Sequence, residues 1–332
     1  MQRPGTAPAT LAMSGRGGLI RRPTGIGRST SKRFVVAVDG SRYGFRAVRL
    51  AAWLLDMSTR DKIKCVSVAR GMSTVDALGF VKQGEDLLRQ CGVPAMAILP
   101  GEILQMEEGG SLAETLSHAA VGAHLVMGAG GARLQAESEK RKTLASAAIG
   151  SVATQCMGIC KAPVILCKPK GVLQLDSRTF FSDRQGGAGM VVLVAVDASR
   201  ISQKCFDMTL RMVKPGDVVK VVHISNSDQS MAMPSSQNSL LGDSAIRTYY
   251  DQECSKAATR LSSTIFEFEE VALKGSSVSK TIIQHAERVL ADLVILGSVE
   301  LAKLDGQALG SVSAAVARTT QANVLVAKNF AL

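Results

Sequence analysis

Aromatic side chains make up only 4% of this 332-residue chain, which has a single Trp, three Tyr and nine Phe. Its cores must therefore be built from Val, Leu, Ile, Ala and Met. No long hydrophobic run is present. The longest, Met190 to Val196, is far short of the roughly 20 residues that span a bilayer, and nothing resembles a secretory leader. The seven cysteines (65, 91, 156, 160, 167, 205, 254) are an odd number and suit reduced thiols rather than a disulfide framework. Cys156 and Cys160 stand at i, i+4 on one helix, but no matching histidine cluster supplies the remaining ligands for zinc. These two are expected to pack in the core.

Acid is absent from residues 1–33, which hold seven basic residues. The net charge of +11 less those seven leaves +4 on the remaining 299 residues. The basic excess is thus largely a Gly-, Pro-, Ser- and Thr-rich tail over 1–32, unable to bury a core and expected to be disordered. Arg-rich and acid-free, it could also serve as a transit peptide to a mitochondrion or plastid, although its amphipathicity is poor. Otherwise the cytoplasm is the natural compartment. Nucleic acid is not an expected partner, because no aromatics interleave the charges.

Several chemistries lack their motifs. There is no G-x-x-x-x-G-K-[ST], no G-x-G-x-x-G after the first strand, no zinc helix and no Ser-Gly-Gly-x-Asp-Ser loop. An enzyme is therefore not expected.

What is present is a repeat. Phe34-Val-Val-Ala-Val-Asp39-Gly-Ser-Arg42 returns as Val192-Leu-Val-Ala-Val-Asp197-Ala-Ser-Arg200. Gly150-Ser151-Val152, leading to Ala162-Pro163-Val164-Ile165-Leu166, returns as Gly310-Ser311-Val312, leading to Ala322-Asn323-Val324-Leu325-Val326. The offset is 158 residues at the first motif and 160 at the last, a period that suits two copies of a whole domain. The copies occupy 33–170 and 190–332, and the Gly-rich stretch 171–189 reads as linker.

Apolar patterning predicts strands at 33–39, 62–69, 95–99, 124–127 and 163–168, with helices at 42–57, 74–91, 112–121 and from about 148. In the second copy it predicts strands at 190–197, 217–224, 265–273, 292–297 and 323–328, with helices at 200–213, 245–262, 277–290 and 309–320. Alternating strands and helices mean an α/β fold, a five-stranded parallel doubly wound sheet per copy. The final strands would otherwise be apolar edges, so the copies are expected to pair through them as an intramolecular pseudo-dimer.

In such sheets ligands sit beyond the carboxyl ends of strands where the strand order reverses. Asp39 and Asp197 end the first strands there, and Gly128 and Gly297 end the fourth. An aspartate in that place accepts from ribose hydroxyls or an adenine amine, and glycines let backbone amides approach phosphate. The helix starts at Gly150 and Gly310 offer free amides. Taken singly, each residue has a plainer reading as a helix cap or turn former.

As a set, Val-Ala-Val-Asp-Gly-Ser followed by Gly128-x2-Gly131…Gly150-Ser151 and Ala162-Pro-Val-Ile-Leu resembles the universal stress protein family, over about 33–169 and 190–329. That resemblance implies a tandem, Rossmann-like regulatory protein of the stress response that binds ATP or AMP, with or without Mg2+. The alternative is an interaction module of the same fold that dimerises without nucleotide, within the chain or as a homodimer. By position it implies Asp39, Val68, Met127, Gly128, Gly131, Gly150, Ser151 and Val152 as nucleotide contacts. In the second copy the matches are Asp197, Ile224, Leu296, Gly297, Gly310, Ser311 and Val312.

Both copies depart from the family's Gly-x2-Gly-x9-Gly-Ser/Thr. Eighteen residues separate Gly131 from Gly150, in a loop carrying Arg133, Lys140, Arg141 and Lys142; the second copy keeps the spacing of nine but has Glu300 where the second glycine belongs. The first copy is therefore expected to bind more tightly. His223, the only histidine near the cleft level, is expected to be a core residue.

Overall fold

The computed structural model describes residues 31–56, 60–69, 73–131, 149–168, 189–225, 237–273, 275–298 and 309–328. The basic tail before Ser31, the linker up to 188, Glu300 and the loop with Arg133, Lys140, Arg141 and Lys142 lie outside these residues.

Among the described residues ten strands form one sheet. The first half supplies β1 (Arg33–Ala37), β2 (Lys62–Val68), β3 (Glu102–Leu104), β4 (His124–Gly128) and β5 (Val164–Cys167). The second supplies β6 (Val191–Val196), β7 (Val218–Ser225), β8 (Ile265–Ala272), β9 (Leu293–Ser298) and β10 (Asn323–Lys328). Their order is β3-β2-β1-β4-β5-β10-β9-β6-β7-β8, parallel within each half. β5 and β10 meet antiparallel, with Ile165 opposite Leu325. The two final strands thus cover each other's open edges, and the halves are related as a pseudo-dimer.

Among the described residues eight α-helices cross between the strands: α1 (Arg42–Leu54), α2 (Thr74–Gln90), α3 (Leu112–Ala119), α4 (Ser151–Ile159), α5 (Arg200–Met212), α6 (Gln237–Arg260), α7 (Val278–Arg288) and α8 (Ser311–Thr319). Strand side chains alternate between the two faces, as the pleat requires. Phe34, Val36 and Val38 join a core with Leu50, Trp53, Phe206 and Tyr250 under α1, α2, α5 and α6. Val35, with Val324 and Val326, faces the core of Leu116, Cys156, Ile282 and Val316 under α3, α4, α7 and α8. Each core runs through both halves. Cys156 and Cys160 are buried in the second core. No described helix is long and apolar enough to cross a membrane.

Two elements differ from the expectation. The segment 95–99 is not a strand: Pro94 starts a 3-10 turn over Ala95–Ala97 and only Ile98 bridges to Ile63. The edge strand resumes at Glu102, after Gly101 has threaded a gap where a Cβ would lie 2.1 Å from Val81. The helix expected from 245 begins at Gln237. Its buried residues among those described are Ile246, Tyr250, Cys254 and Ala257, and the sequence of its early turns carries no apolar periodicity to read.

Candidate functional site

Strand order reverses between β1 and β4, since the chain leaves β1 for β2 on one side and returns to β4 on the other. Beyond the carboxyl ends of these strands lies a cavity of about 360 Å³, within the roughly 300–1,000 Å³ of small-molecule sites. Asp39, Val68, Met127, Gly128, Gly131, Gly150, Ser151 and Val152 all line it. Every first-copy residue singled out in the sequence is therefore at one cleft. Val66 and, from α3, Leu112 and Leu116 complete an apolar wall that the motif comparison did not include.

Asp39 follows β1 at the start of a turn whose next residue, Gly40, has φ +75. Its Oδ1 accepts from the backbone N–H of Ser41 at 3.1 Å and from the Ser41 hydroxyl at 2.5 Å. Ser41 in turn caps α1 by accepting from the Gly44 N–H at 3.1 Å. The carboxylate is thus held by the cap that starts the helix. A Cβ on Gly131 would sit 3.0 Å from Asp39 Oδ2, and one on Gly44 2.9 Å from Oδ1. Neither glycine adds a side chain beside the carboxylate. Among the described residues lining the cleft, Asp39 carries the one acidic or basic side chain.

Gly128 has a second duty. A Cβ there would meet Tyr43 Cβ at 2.7 Å and its backbone carbon at 2.8 Å, so the glycine lets α1 cross close over β4. The same holds in the second half, where a Cβ on Gly297 would lie 2.7 Å from Ile201. At these positions helix packing needs glycine whether or not a ligand is present.

The start of α4 is open. Helices α1, α2, α3, α5 and α7 begin with a serine whose hydroxyl accepts from a first-turn amide. Helices α4 and α8 begin with Gly150 and Gly310, and neither has a side-chain cap. The Gly150 N–H donates to Ala129 O at 2.7 Å, fixing the helix start against the end of β4. The first-turn amides are left to face the cleft that Ser151, Val152 and Ala153 line, with the positive end of the helix dipole behind them.

In the second half the matching residues sit at the matching strand ends, with altered chemistry. Asp197 follows β6, beside the end of β9, which carries Leu296 and Gly297. Ser313 Oγ donates to Gly297 O at 2.8 Å, and the Gly310 N–H donates to Ser298 Oγ at 2.9 Å. Ser311 and Val312 open α8 on the exposed side, while Ile224 lies partly buried against the core. Where the first half has Gly44, the second has Ser202. Its hydroxyl donates to Asp197 Oδ1 at 2.6 Å and accepts from the Asp197 N–H at 3.1 Å, and Ser199 N–H donates to the same Oδ1 at 2.8 Å. Asp197 is thus tied into the first turn of α5 by Ser202, where Asp39 is held by the Ser41 cap of α1.

His223 is buried, with Nδ1 3.1 Å from Val196 O and Nε2 3.0 Å from Asp243 Oδ1 of α6. It pins the long helix to the sheet, as a core residue would.

A family model for the universal stress protein family matches residues 190–328. No curated protein matches the chain in sequence. The solved universal stress protein of Archaeoglobus fulgidus DSM 4304 aligns at TM-score 0.57 and 17% identity, covering 90% of this chain and 99% of its own. A functionally unknown protein of Pseudomonas aeruginosa PAO1 aligns at TM-score 0.55 and 12% identity, covering 90% and 93%. At these identities the likeness is one of fold, and it extends over both halves.

Proposed function

We propose, for a chain whose second half is a universal stress protein domain and whose first half repeats that fold, that it binds an adenine nucleotide, ATP or AMP, in the first half. It acts as a regulatory binding protein of the stress response, and turnover is not part of its role. The observation that carries this reading is the joint lining of one switch-point cavity by Asp39, the Gly128–Gly131 turn and the uncapped start of α4.

The parts suit the ligand's chemistry. Val66, Val68, Leu112, Leu116 and Met127 offer an apolar slot for a flat base, and Asp39 offers an acceptor for ribose hydroxyls or the exocyclic amine. The amides at the start of α4 suit phosphate, for which a helix N-terminus contributes about 0.3–1 kcal/mol where exposed. Mg2+ bound to the phosphates would moderate their repulsion from Asp39. Purified protein, denatured and cleared, should release adenine nucleotide into the supernatant in substoichiometric to one-to-one amount. Its absence there, together with no binding of added ATP, would favour the same fold acting as an interaction module with an empty cleft.

A further inference from the structure

We propose that the seam between the two halves is a second ligand site, which takes a small polyphosphate anion at the opposite ends of β1 and β4 from the nucleotide cleft. A cavity of about 800 Å³ lies there. Lys32 and Arg33 reach it from the start of β1, His124 from the start of β4, Lys161 from the turn before β5, and Lys204 and Arg211 from α5 of the other half. Arg33 and Asp39 are six residues apart on one extended strand, so the two sites are about 20 Å apart.

Not all of this charge is uncompensated. Lys32 Nζ is 2.9 Å from Asp61 Oδ2 and donates to the Arg211 carbonyl at 2.8 Å. One carboxylate, Asp207, also lines the cavity, one helical turn before Arg211. Burial pushes its pKa up, while Arg211 draws it down and Glu253 adds to the rise. Arg33, Lys161 and Arg211 form no ion pair with a described residue. The cavity therefore gathers cations from both halves, with Asp61 behind Lys32 and Asp207 in the lining set against them. His124 adds an unmet group: Nδ1 is 3.3 Å from Arg33 O, and Nε2 is buried with no hydrogen-bond partner among the described residues.

Lys32 apart, whose buried pair with Asp61 and bond to Arg211 tie the halves, the fold itself does not need these residues. At the equivalent places in the second half stand Met190 for Lys32, Val191 for Arg33, Leu293 for His124 and Gln321 for Lys161. The same sheet is built there without the charges, so folding does not explain why the first half has them. Guanidinium and ammonium groups converging on a concave space match phosphate oxygens, with Arg able to bind two at once. The volume, larger than that of the nucleotide cleft, suits a chain of several phosphates, free or attached to a small organic group. Its concave form disfavours a nucleic-acid duplex or a membrane surface.

The test is calorimetric titration of the full chain with tripolyphosphate. Parent protein and Gly150→Asp should both bind it at this site. Lys161→Glu and Arg211→Glu should each weaken it about tenfold or more, since each turns an attraction into a repulsion. The milder Lys161→Gln and Arg211→Gln, which keep the fold in case reversal harms it, should weaken it less. The ATP binding that Gly150→Asp removes should remain in all four charge variants, which separates this site from the nucleotide reading. The proposal is overturned if the parent gives no saturable heat, or if Gly150→Asp abolishes binding while the charge variants leave it intact. It is equally overturned if an acidic peptide or an oligonucleotide displaces tripolyphosphate and binds more tightly.

Discussion

Glycine carries two separate demands in this molecule, and single residues distinguish them. Gly128 faces the cleft, yet its missing Cβ is required by Tyr43 and the crossing of α1. Gly79, within α2, would meet nothing within 4 Å. Gly128→Ala should therefore cost about 1–3 kcal/mol through forced backbone movement, while Gly79→Ala should gain about 0.5–1 kcal/mol from helix propensity. Urea unfolding followed by the fluorescence of buried Trp53 measures both. A neutral Gly128→Ala would mean that α1 adjusts freely and that the glycine serves the ligand alone.

His124 makes a pH prediction at the same scale. Burial, the largest influence, drives its pKa down to about 4, helped by Lys32 and opposed by the Arg33 carbonyl and Asp61. The unfolded chain takes up that proton near pH 6.5, the folded chain only near 4. Stability should thus fall as pH drops through that window and level off below it, by up to about 3 kcal/mol from this group. His124→Leu, which copies Leu293 of the second half, should flatten that part of the profile in phosphate-free buffer. An unchanged slope would assign the acid sensitivity elsewhere.

At the scale of elements, the antiparallel pairing of β5 with β10 is what makes one molecule of two halves. Both strands are buried along their length, so separation would expose apolar edges with unpaired amides. Lysines reinforce the join reciprocally. Lys168, after β5, donates to the Ala317 carbonyl in the last turn of α8, and Lys328, at the end of β10, donates to the Gly158 carbonyl in the last turn of α4. Each half thus places a cation at the C-terminal end of the other half's glycine-started helix, where the dipole favours it. Either half expressed alone should self-associate or aggregate, as size-exclusion chromatography with light scattering would show. Two well-behaved monomers would contradict the pairing as a stabilising necessity.

Most elements were legible in the sequence because their strands are near-continuous apolar runs and five of their helices begin at serine caps. The segment 95–99 misled because its composition suits a strand, while Pro94 and the tight place of Gly101 were decided by packing. In the site, motif position found the polar parts but not Leu112 and Leu116, which α3 delivers through tertiary folding. The change from Gly44 to Ser202 was open to reading at the 158-residue offset. Its consequence was not, because a hydroxyl donating to Asp197 is a matter of geometry.

For the molecule as a whole, the repeat produces symmetry of fold and asymmetry of chemistry. The first half has a cleft where Gly44 and Gly131 add no side chain beside the aspartate, which the Ser41 cap holds. The second ties its aspartate to Ser202, and its sequence places Glu300 where a glycine would admit phosphate. Like charges about 4 Å apart at an effective dielectric near 20 cost on the order of 4 kcal/mol, more than a helix dipole returns. The first half should accordingly do the binding, and the second should serve as its structural partner.

Calorimetric titration with ATP of the parent, Gly150→Asp and Gly310→Asp tests this most directly. Both glycines are N-caps with ordinary negative φ of -62 and -55, so an aspartate there should cap its helix and leave the fold intact or a few tenths of a kcal/mol more stable. The same carboxylate would take the amides that phosphate needs and repel it. Binding in the parent, most of the affinity lost in Gly150→Asp and little lost in Gly310→Asp is the result expected. Equal losses in the two variants would contradict the asymmetry, and no binding in the parent would contradict the nucleotide site itself.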